Sequence, residues 1–280
     1  MSGPIGECSE DLFARRRLSF DADPDLYARA RPGYPEAMFD AIWEFADLHA
    51  GDPALEIGCG PGQATLPMAG RGLRVTAIEI GSNMADYVRR AAAHLDVEVH
   101  CASFEDCLLP AGRFALVYAG SSFHWVRPEA RYVRSAAALR DGGALALFWN
   151  RQAQSEGDDP FFDELQQVYA REALGLAGRY DAISRAEQMR AEYVAEIEQS
   201  GLFGPVTVQE FQRSISFTAE TYAALLSTYS DHATLDPAHL RRLLHAVREL
   251  INGSFGGHIA REWATMLFMA RKISDPTTGS

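Results

Sequence analysis

Between residues 53 and 150, short apolar runs alternate with segments whose apolar residues recur at helical spacing. The short runs are typical of buried strands, and the longer periodic segments are typical of amphipathic helices. The predicted strands are PALEIG, LRVTAIEI, VEVHCAS, RFALVYAG and ALALFWN. The predicted helices are ATLPMAGRG, SNMADYVRRAAAHL capped by Ser82, and PEARYVRSAAALRDGG ending at Gly142.

Strands and helices that alternate over such short connections predict an α/β fold with a parallel sheet covered on both faces. Right-handed crossovers then favour a doubly wound, Rossmann-like topology. In such folds the ligand binds at the carboxyl ends of the strands. The turns that follow the predicted strands are therefore the expected place of the ligand site.

The second half of the chain has a different pattern. Two amphipathic helices are predicted first, DDPFFDELQQVYARE and SRAEQMRAEYVAEIEQSG, followed by a strand, PVTVQEFQRSISF. Two further helices, TAETYAALLSTYSDH and DPAHLRRLLHAVRELING, have Thr218 and Asp236 as predicted caps. The final predicted strand is EWATMLFMARK, so two helices interrupt the last two strands.

A glycine-rich turn, GCGPG, follows the first predicted strand and contains Gly58, Gly60 and Gly62. The dinucleotide fingerprint G-x-G-x-x-G or A fits poorly, because Gln63 stands where the last small residue is required and Pro61 lies inside the turn. The phosphate-binding loop G-x-x-x-x-G-K-S or T is absent from the sequence. The turn therefore favours close approach of the backbone to a ligand other than a phosphate group.

Two acidic residues near this turn support a nucleoside ligand. Glu79 ends the second predicted strand, and a carboxylate in that position can accept hydrogen bonds from both ribose hydroxyls. Glu56, two residues before the turn, is expected to repel a phosphate group. A solvated strand end is the alternative interpretation of Glu79.

Composition limits the possible partners. The chain has 280 residues and a formal net charge of −12, which argues against a nucleic acid or an anionic membrane as the main partner. The four cysteines form no Cys-x-x-Cys pair and no zinc-like set with histidine, so we expect no metal and reduced thiols. With no apolar run long enough to span a membrane and no signal peptide, we expect a cytoplasmic protein that acts on a small molecule. The oligomeric state is left open, monomer or homodimer.

Several motifs together resemble those of class I S-adenosylmethionine-dependent methyltransferases. They are LEIGCGPGQAT, VTAIEIG, ASFEDCLLPAGRFALVYAGSSFHWV and LRDGGALALFWN. YARARPGYP, before them, is similar to a segment in a branch of small-molecule methyltransferases that includes trans-aconitate-methyltransferase-like enzymes. The resemblance is strong from Tyr27 to about Asn150 and weaker beyond it.

The resemblance implies a seven-stranded sheet with an antiparallel last strand, S-adenosylmethionine as cofactor and S-adenosylhomocysteine as product. It implies that Glu79 binds the ribose diol, that Ile80 and Ser103 meet the adenine, and that Tyr27 and Arg31 close the site. Two positions depart from the family, which often has Asp in place of Ser103 and of Ala115. The full predicted cofactor set is Tyr27, Arg31, Glu56, Gly58, Cys59, Gly60, Gly62, Glu79, Ile80, Ser103, Phe104, Ala119 and Gly120.

Transfer of a sulfonium methyl group is a direct displacement, so much of the catalysis is positioning of the acceptor. The segment SSFHWV follows the fourth strand, where His124 is the candidate base or orienting donor. A histidine that only fixes its loop is the alternative. Phe123 and Trp125 are candidates for the acceptor pocket, with core packing as the alternative.

The C-terminal half contains four more acceptor candidates, which are Tyr222, Tyr229, His232 and Trp263. Tyr222 and Tyr229 are seven residues apart and are expected to share a helix face. Core packing is again the alternative for these side chains.

The predicted organisation is a flexible N-terminus over residues 1–20, a cofactor-binding core over residues 21–150, and residues 151–280 completing the sheet, with inserted helices that form a lid on the acceptor side. The predicted function is methyl transfer to an O, N or C atom of a small molecule. A non-catalytic or regulatory module that binds S-adenosylmethionine and a dinucleotide oxidoreductase remain as alternatives. Methylation of protein or nucleic acid is a further option, which the acidic charge disfavours for RNA and DNA.

Overall fold

The computed structural model describes residues 19–153, 159–173, 176, 182–233 and 235–273, and the side chains of Ser19 and of residues 182–185 lie outside this description. The predicted flexible N-terminus therefore lies outside the described residues up to residue 18, as does Cys8. Ser19–Ala22 form a short 3₁₀ helix. No helix within the described part of the chain combines the length and apolar character needed to cross a membrane.

Seven strands and ten α-helices make up the described secondary structure. The strands are β1 (Pro53–Ile57), β2 (Arg74–Glu79), β3 (Val97–Cys101), β4 (Phe114–Gly120), β5 (Leu139–Gln152), β6 (Thr207–Thr218) and β7 (His258–Arg271). The helices are α1 (Pro24–Ala30), α2 (Glu36–Ala46), α3 (Thr65–Gly70), α4 (Ser82–Ala91), α5 (Pro128–Ala138), α6 (Pro160–Glu172), α7 (Ala182–Gln199), α8 (Ala219–Ser227), α9 (Ser230–Ala233) and α10 (Pro237–Ser254).

The strands form one sheet in the order β3-β2-β1-β4-β5-β7-β6. β1 lies between β2 and β4 and is parallel to both, and β2–β3 and β4–β5 are parallel as well. The last strand runs antiparallel, so the predicted fold class is confirmed. The strand order reverses between β1 and β4, which makes the carboxyl ends of these two strands the switch point where such folds bind ligands.

The chain divides into two compact units. The first, called the sheet unit, comprises residues 33–151, 184–212 and 264–273. The second, called the helical unit, comprises the described residues within 19–32, 152–183 and 213–263.

In the sheet unit, alternate residues of the central strands enter separate cores on the two faces of the sheet. Leu55 and Val117 belong to the core that α5 and α7 cover, while Ala54 and Leu116 belong to the core that α2, α3 and α4 cover. Because both faces are covered, β4 is buried along almost its whole length.

In the helical unit, α6, α8 and α10 enclose an apolar core that includes Phe161, Leu226 and Val247. The predicted caps of two of its helices are confirmed. Thr218 and Thr221 form a capping box at the start of α8, and Asp236 accepts from the backbone N–H of Ala238 at 2.9 Å.

Three local predictions are wrong. Ser82 does not cap α4, because Gly81 occupies the cap position and Ser82 is already helical. The helix predicted to end at Gly142 ends at Ala138, since buried Leu139 pairs with Phe114 and starts β5. Tyr222 and Tyr229 do not share a helix face, because α8 ends at Ser227 and Tyr229 lies beyond it.

Candidate functional site

The glycine turn follows β1 at the switch point of the sheet. Gly58, Gly60 and Gly62 all have positive φ angles, at 69°, 53° and 93°. A Cβ atom on Gly58 would lie 2.6 Å from Cβ of Ser122, whereas a Cβ atom on Gly60 would meet nothing within 4 Å. Close packing therefore requires the first glycine, and open space for a ligand lies beside the second.

Glu79 links this turn to the end of β2. Its Oε2 accepts from the backbone N–H of Gly60 at 2.8 Å, and its Oε1 accepts from that of Gly81 at 2.9 Å. The side chain is 9% exposed, which excludes the solvated strand end considered as its alternative. A carboxylate has about four acceptor positions, so backbone bonds of this kind are compatible with the proposed contact to a ribose diol.

Glu56 lies beneath the turn and is 2% exposed. Its Oε2 accepts from Thr65 Oγ1 at 2.6 Å and from Tyr118 Oη at 3.0 Å. Burial raises the pKa of this carboxyl to about 8, against the lowering effect of the two hydroxyl donors, and the nearby Glu79 charge adds to the rise.

The raised pKa removes one of the sequence-based arguments. A carboxyl group with this pKa is mostly protonated at neutral pH, so Glu56 would not repel a phosphate group as expected. Gln63, which stands where the dinucleotide fingerprint requires Gly or Ala, still argues against a dinucleotide ligand. Cys59, also predicted to contact the cofactor, is 5% exposed, and burial raises its thiol pKa.

The segment after β3 contains Ser103 and Phe104. The Ser103 hydroxyl donates to Asp106 Oδ2 at 2.6 Å, which places a carboxylate next to the serine that replaces the family's aspartate. Asp106 was not predicted from the sequence. Its position three residues beyond Ser103 is nevertheless typical of turns in which serine and aspartate side chains form local hydrogen bonds. Phe104 is 1% exposed and packs in the core, so it offers almost no surface to a ligand.

The segment after β4 packs directly on the glycine turn. Ser122 Oγ donates to the backbone oxygen of Ile57 at 2.5 Å, which joins this segment to the end of β1. Ser121 has a φ of 54°, an uncommon conformation for a residue other than glycine. Tyr34 Oη donates to Ser121 Oγ at 3.2 Å. The Tyr34 ring also packs against the Phe148 ring, with the ring centroids 4.7 Å apart.

These contacts explain where two predicted residues lie. Ala119 is fully buried in β4, and Gly120 ends that strand. A Cβ atom on Gly120 would lie 2.7 Å from Tyr34 Oη, so this glycine makes room for Tyr34. Tyr34 was not predicted as a site residue, although it belongs to the YARARPGYP motif.

His124 lies in a short 3₁₀ helix, Phe123–Trp125, two residues beyond Ser122. Its Nδ1 accepts from the indole N–H of Trp149 at 3.3 Å. Burial lowers its pKa to about 4, and the positive charge of Arg131 contributes to the decrease. The imidazole is therefore neutral at physiological pH.

The two aromatic residues that flank His124 in the sequence differ in burial. Phe123 is fully buried in the core, as its alternative interpretation proposed. Trp125 is half-buried, and its ring lies 4.8 Å from the His124 ring. Ile80, beyond β2, is also half-buried and keeps part of its apolar side chain exposed next to Glu79.

In the helical unit, Arg31 lies against Tyr229, with its guanidinium 4.4 Å from the ring centroid. Arg31 Nε donates to Thr228 Oγ1 at 2.9 Å, and the Tyr27 ring lies 5.3 Å from the guanidinium. Tyr229 Oη accepts from Gln152 Nε2 at 3.1 Å. The contribution of Tyr27 and Arg31 to cofactor binding stays a prediction.

The remaining acceptor candidates are buried. Tyr222 and Trp263 are 1% and 2% exposed in the apolar core of the helical unit, as their alternative interpretation proposed. His232 is fully buried, with Nε2 2.8 Å from Tyr169 Oη, and burial lowers its pKa to about 4. No group of His, Cys, Asp and Glu side chains among the described residues has the arrangement of a metal site.

The sheet unit therefore brings together the predicted glycines, Glu79, Ile80 and, through Ser122, the His124 segment. The order of the strands creates this cluster, because β1, β2 and β4 are neighbours and all end at the same edge. Within this cluster, open space lies beside Gly60, next to the Glu79 carboxylate.

Comparisons with known proteins agree with this geometry. Residues 54–143 match a family described as "Methyltransferase domain". A trans-aconitate 2-methyltransferase of Paracidovorax citrulli is 30% identical over 190 residues, which span 66% of this chain and 68% of that protein. An uncharacterised methyltransferase of Mycobacterium tuberculosis is 30% identical over 155 residues, spanning 55% of this chain and 60% of that protein.

The chain thus spans less than two thirds of the length of the mycobacterial relative. Among solved structures, a methyltransferase from Anaeromyxobacter dehalogenans has a TM-score of 0.59 and 22% identity, with 86% of this chain and 97% of that chain aligned. This likeness shows the shared fold. The Paracidovorax relative and the matching methyltransferase domain, together with the glycine turn at the switch point, show that the chain belongs to the class I S-adenosylmethionine-dependent methyltransferases.

Proposed function

We propose that this protein transfers the methyl group of S-adenosylmethionine to a small-molecule acceptor and releases S-adenosylhomocysteine. The single observation that carries the proposal is the Glu79 carboxylate bonded to the Gly60 N–H beside open space. It places a carboxylate that can accept from ribose hydroxyls next to a backbone turn with open space at Gly60, in the switch region of the sheet.

The residues present fit this cofactor. Glu79 would bind the ribose hydroxyls, Ile80 would contact the adenine, and the glycine turn would approach the methionine part closely. Ser103 with its partner Asp106 would meet the adenine edge, where hydrogen-bonding groups are needed. Glu56 would support the turn from below, because its carboxyl is enclosed by Thr65 and Tyr118.

When bound, S-adenosylmethionine supplies a methyl group activated by its positively charged sulfur. The acceptor atom forms a bond to that carbon as the carbon–sulfur bond breaks, and the electron pair stays on sulfur. The protein contributes mainly by holding the acceptor in line and by excluding water. His124 is the polar side chain of the β4 segment that we assign to acceptor contact.

The acceptor is proposed only as a small molecule, at an O, N or C atom. The acidic net charge of −12 supports this class over RNA and DNA. The name of the Paracidovorax relative also indicates a small-molecule acceptor for that protein. We further propose that residues 21–150 hold the cofactor and that residues 151–280 complete the sheet.

Calorimetric titration of the full chain with S-adenosylmethionine, S-adenosylhomocysteine and NAD tests the cofactor assignment. We expect saturable binding of the first two and none of NAD. Binding of NAD alone would overturn the proposal in favour of an oxidoreductase. Release of S-adenosylhomocysteine in a panel of carboxylates, phenols and amines then separates an enzyme from a binding module, which would bind the cofactor but release no product.

A further inference from the structure

The indole of Trp149 is held rigidly beside His124. Trp149 lies in β5 and is 7% exposed. Its ring stacks on Tyr193 of α7, with centroids 4.1 Å apart and an interplanar angle of 28°, and it meets the edge of Phe268 of β7 at 5.8 Å. Packing on two sides fixes the direction of its N–H group, which donates to His124 Nδ1.

The backbone of His124 is fixed as well. Arg131 of α5 donates from Nη2 to the His124 carbonyl oxygen at 2.9 Å and from Nε to the Val126 carbonyl oxygen at 2.8 Å. Arg131 is itself paired with Glu196 of α7 at 3.3 Å. The position and the orientation of the imidazole are therefore both determined by neighbouring side chains.

This arrangement selects one tautomer of the imidazole. An indole N–H is only a donor, so Nδ1 must accept, and the single proton of a neutral imidazole then lies on Nε2. The opposite tautomer would place two N–H groups against each other at 3.3 Å. The low pKa of His124, caused by burial and Arg131, keeps the doubly protonated form out of the neutral range.

We infer that Trp149 is a positioning residue that fixes His124 as the Nε2–H tautomer, so that His124 meets the methyl acceptor as a hydrogen-bond donor and not as a base. Among the described residues, no side chain hydrogen-bonds to Nε2, which leaves that N–H for a ligand. The assignment of an acceptor to this position rests on the proposed function. The assignment of the tautomer does not rest on the proposed function, because it depends only on the contact between Trp149 and His124.

A hydrogen-bond donor at Nε2 limits which acceptor groups the site can serve. A donor at Nε2 can orient an oxygen or nitrogen that has a lone pair, but it cannot remove a proton from the attacking atom. The acceptor class that fits is one that attacks without losing a proton to the enzyme, and a carboxylate meets this requirement. A carboxylate would accept the His124 N–H at one oxygen and attack the methyl group with the other.

The first test reads the tautomer directly. In the full chain labelled with ¹⁵N-histidine, long-range ¹H–¹⁵N correlation distinguishes the protonated nitrogen of each imidazole, with His124→Gln used for assignment. We expect the Nε2–H pattern for His124, unchanged through neutral pH. An Nδ1–H pattern, or an imidazolium at neutral pH, would overturn the inference without any variant of Trp149 being needed.

Trp149→Phe then tests the positioning residue, because it keeps an aromatic ring and removes the indole N–H donor. We expect a mixture of tautomers for His124 in this variant. Trp43→Phe is the matched control, since it removes an indole from α2 on the other face of the sheet and should leave the His124 signals unchanged. An unmixed Nε2–H pattern in folded Trp149→Phe would assign tautomer control to another group.

Single-turnover rates test the donor role. His124→Gln can place an amide N–H near the position of Nε2, whereas His124→Phe cannot. Loss of a hydrogen bond to a charged carboxylate is worth about 10- to 150-fold, so His124→Phe should lose about that much, whereas His124→Gln, which keeps a donor, should stay within about tenfold of the parent. Equal losses in both variants would indicate a base, because glutamine cannot remove a proton. Failure to bind S-adenosylhomocysteine would instead refute the proposed function and leave the tautomer result standing.

Discussion

Replacement of Glu79 by alanine should affect both folding and cofactor binding, because one carboxylate holds two backbone groups and faces the proposed ribose site. The change removes the acceptors of the Gly60 N–H at 2.8 Å and the Gly81 N–H at 2.9 Å. The bond from the Gly81 N–H is buried, whereas the bond from the Gly60 N–H is only partly buried.

The two groups should therefore contribute unequally to stability. A buried N–H left without an acceptor costs about 1–3 kcal/mol, and a group that water can reach costs about 1 kcal/mol or less. We expect the free energy of unfolding to fall by about 1–4 kcal/mol in total. Loss of charge-assisted contacts to the diol should separately weaken S-adenosylhomocysteine binding by about 10- to 150-fold.

Urea unfolding followed by circular dichroism measures the first effect, and calorimetric titration of the folded variant measures the second. Glu98→Gln is the matched control, since Glu98 is an exposed acid on the neighbouring strand β3 and should change neither quantity. A drop in stability with unchanged affinity would make Glu79 purely structural. No change in either would refute the geometry described for the turn.

Three further predictions concern other buried residues and the glycine turn. Glu56 has a pKa near 8 in the folded protein and 4.5 as its ordinary value, so the folded state holds the proton more tightly and the free energy of unfolding should fall as pH rises from 4.5 to 8. Glu56→Gln should flatten that slope in urea titrations at several pH values, and an unchanged slope would show that another group titrates. Gly58→Ala should destabilise the fold more than Gly60→Ala, because only the first places a Cβ atom against Ser122, whereas Gly60→Ala should mainly weaken cofactor binding. Thermal melts with titrations of both variants decide this, and equal melting temperatures would contradict it. Tyr169→Phe removes the 2.8 Å contact to buried His232 and should cost about 1–3 kcal/mol of unfolding free energy, and chemical denaturation showing a neutral effect would mean that His232 finds another partner.

The acceptor side shows where the sequence pattern was ambiguous. Tyr222 and Trp263 were considered as pocket or core residues, and helical spacing and residue type are compatible with both. The structure buries them in the helical unit beside Phe161 and Phe217, so packing accounts for them. The break after Ser227, which separates Tyr222 from Tyr229, had no proline or glycine to signal it in the sequence.

The sequence by itself determined the strand and helix alternation, the turn after β1 and the acid at the end of β2. These features depend on local periodicity and on residues close in the chain, which is why PALEIG, LRVTAIEI and the glycine spacing were sufficient to predict them. The caps at Thr218 and Asp236 were predictable for the same reason, since a cap involves residues only two or three positions apart.

Only the tertiary structure decided the chemical state of the site. The protonation of Glu56 depends on how completely Thr65, Tyr118 and the sheet exclude water from it. The tautomer of His124 depends on Trp149, which is 25 residues away in the chain and meets it because β4 and β5 are neighbouring parallel strands. Burial and hydrogen-bond partners arise from strand pairing between distant segments, and no local pattern in the sequence records which partner a side chain will meet.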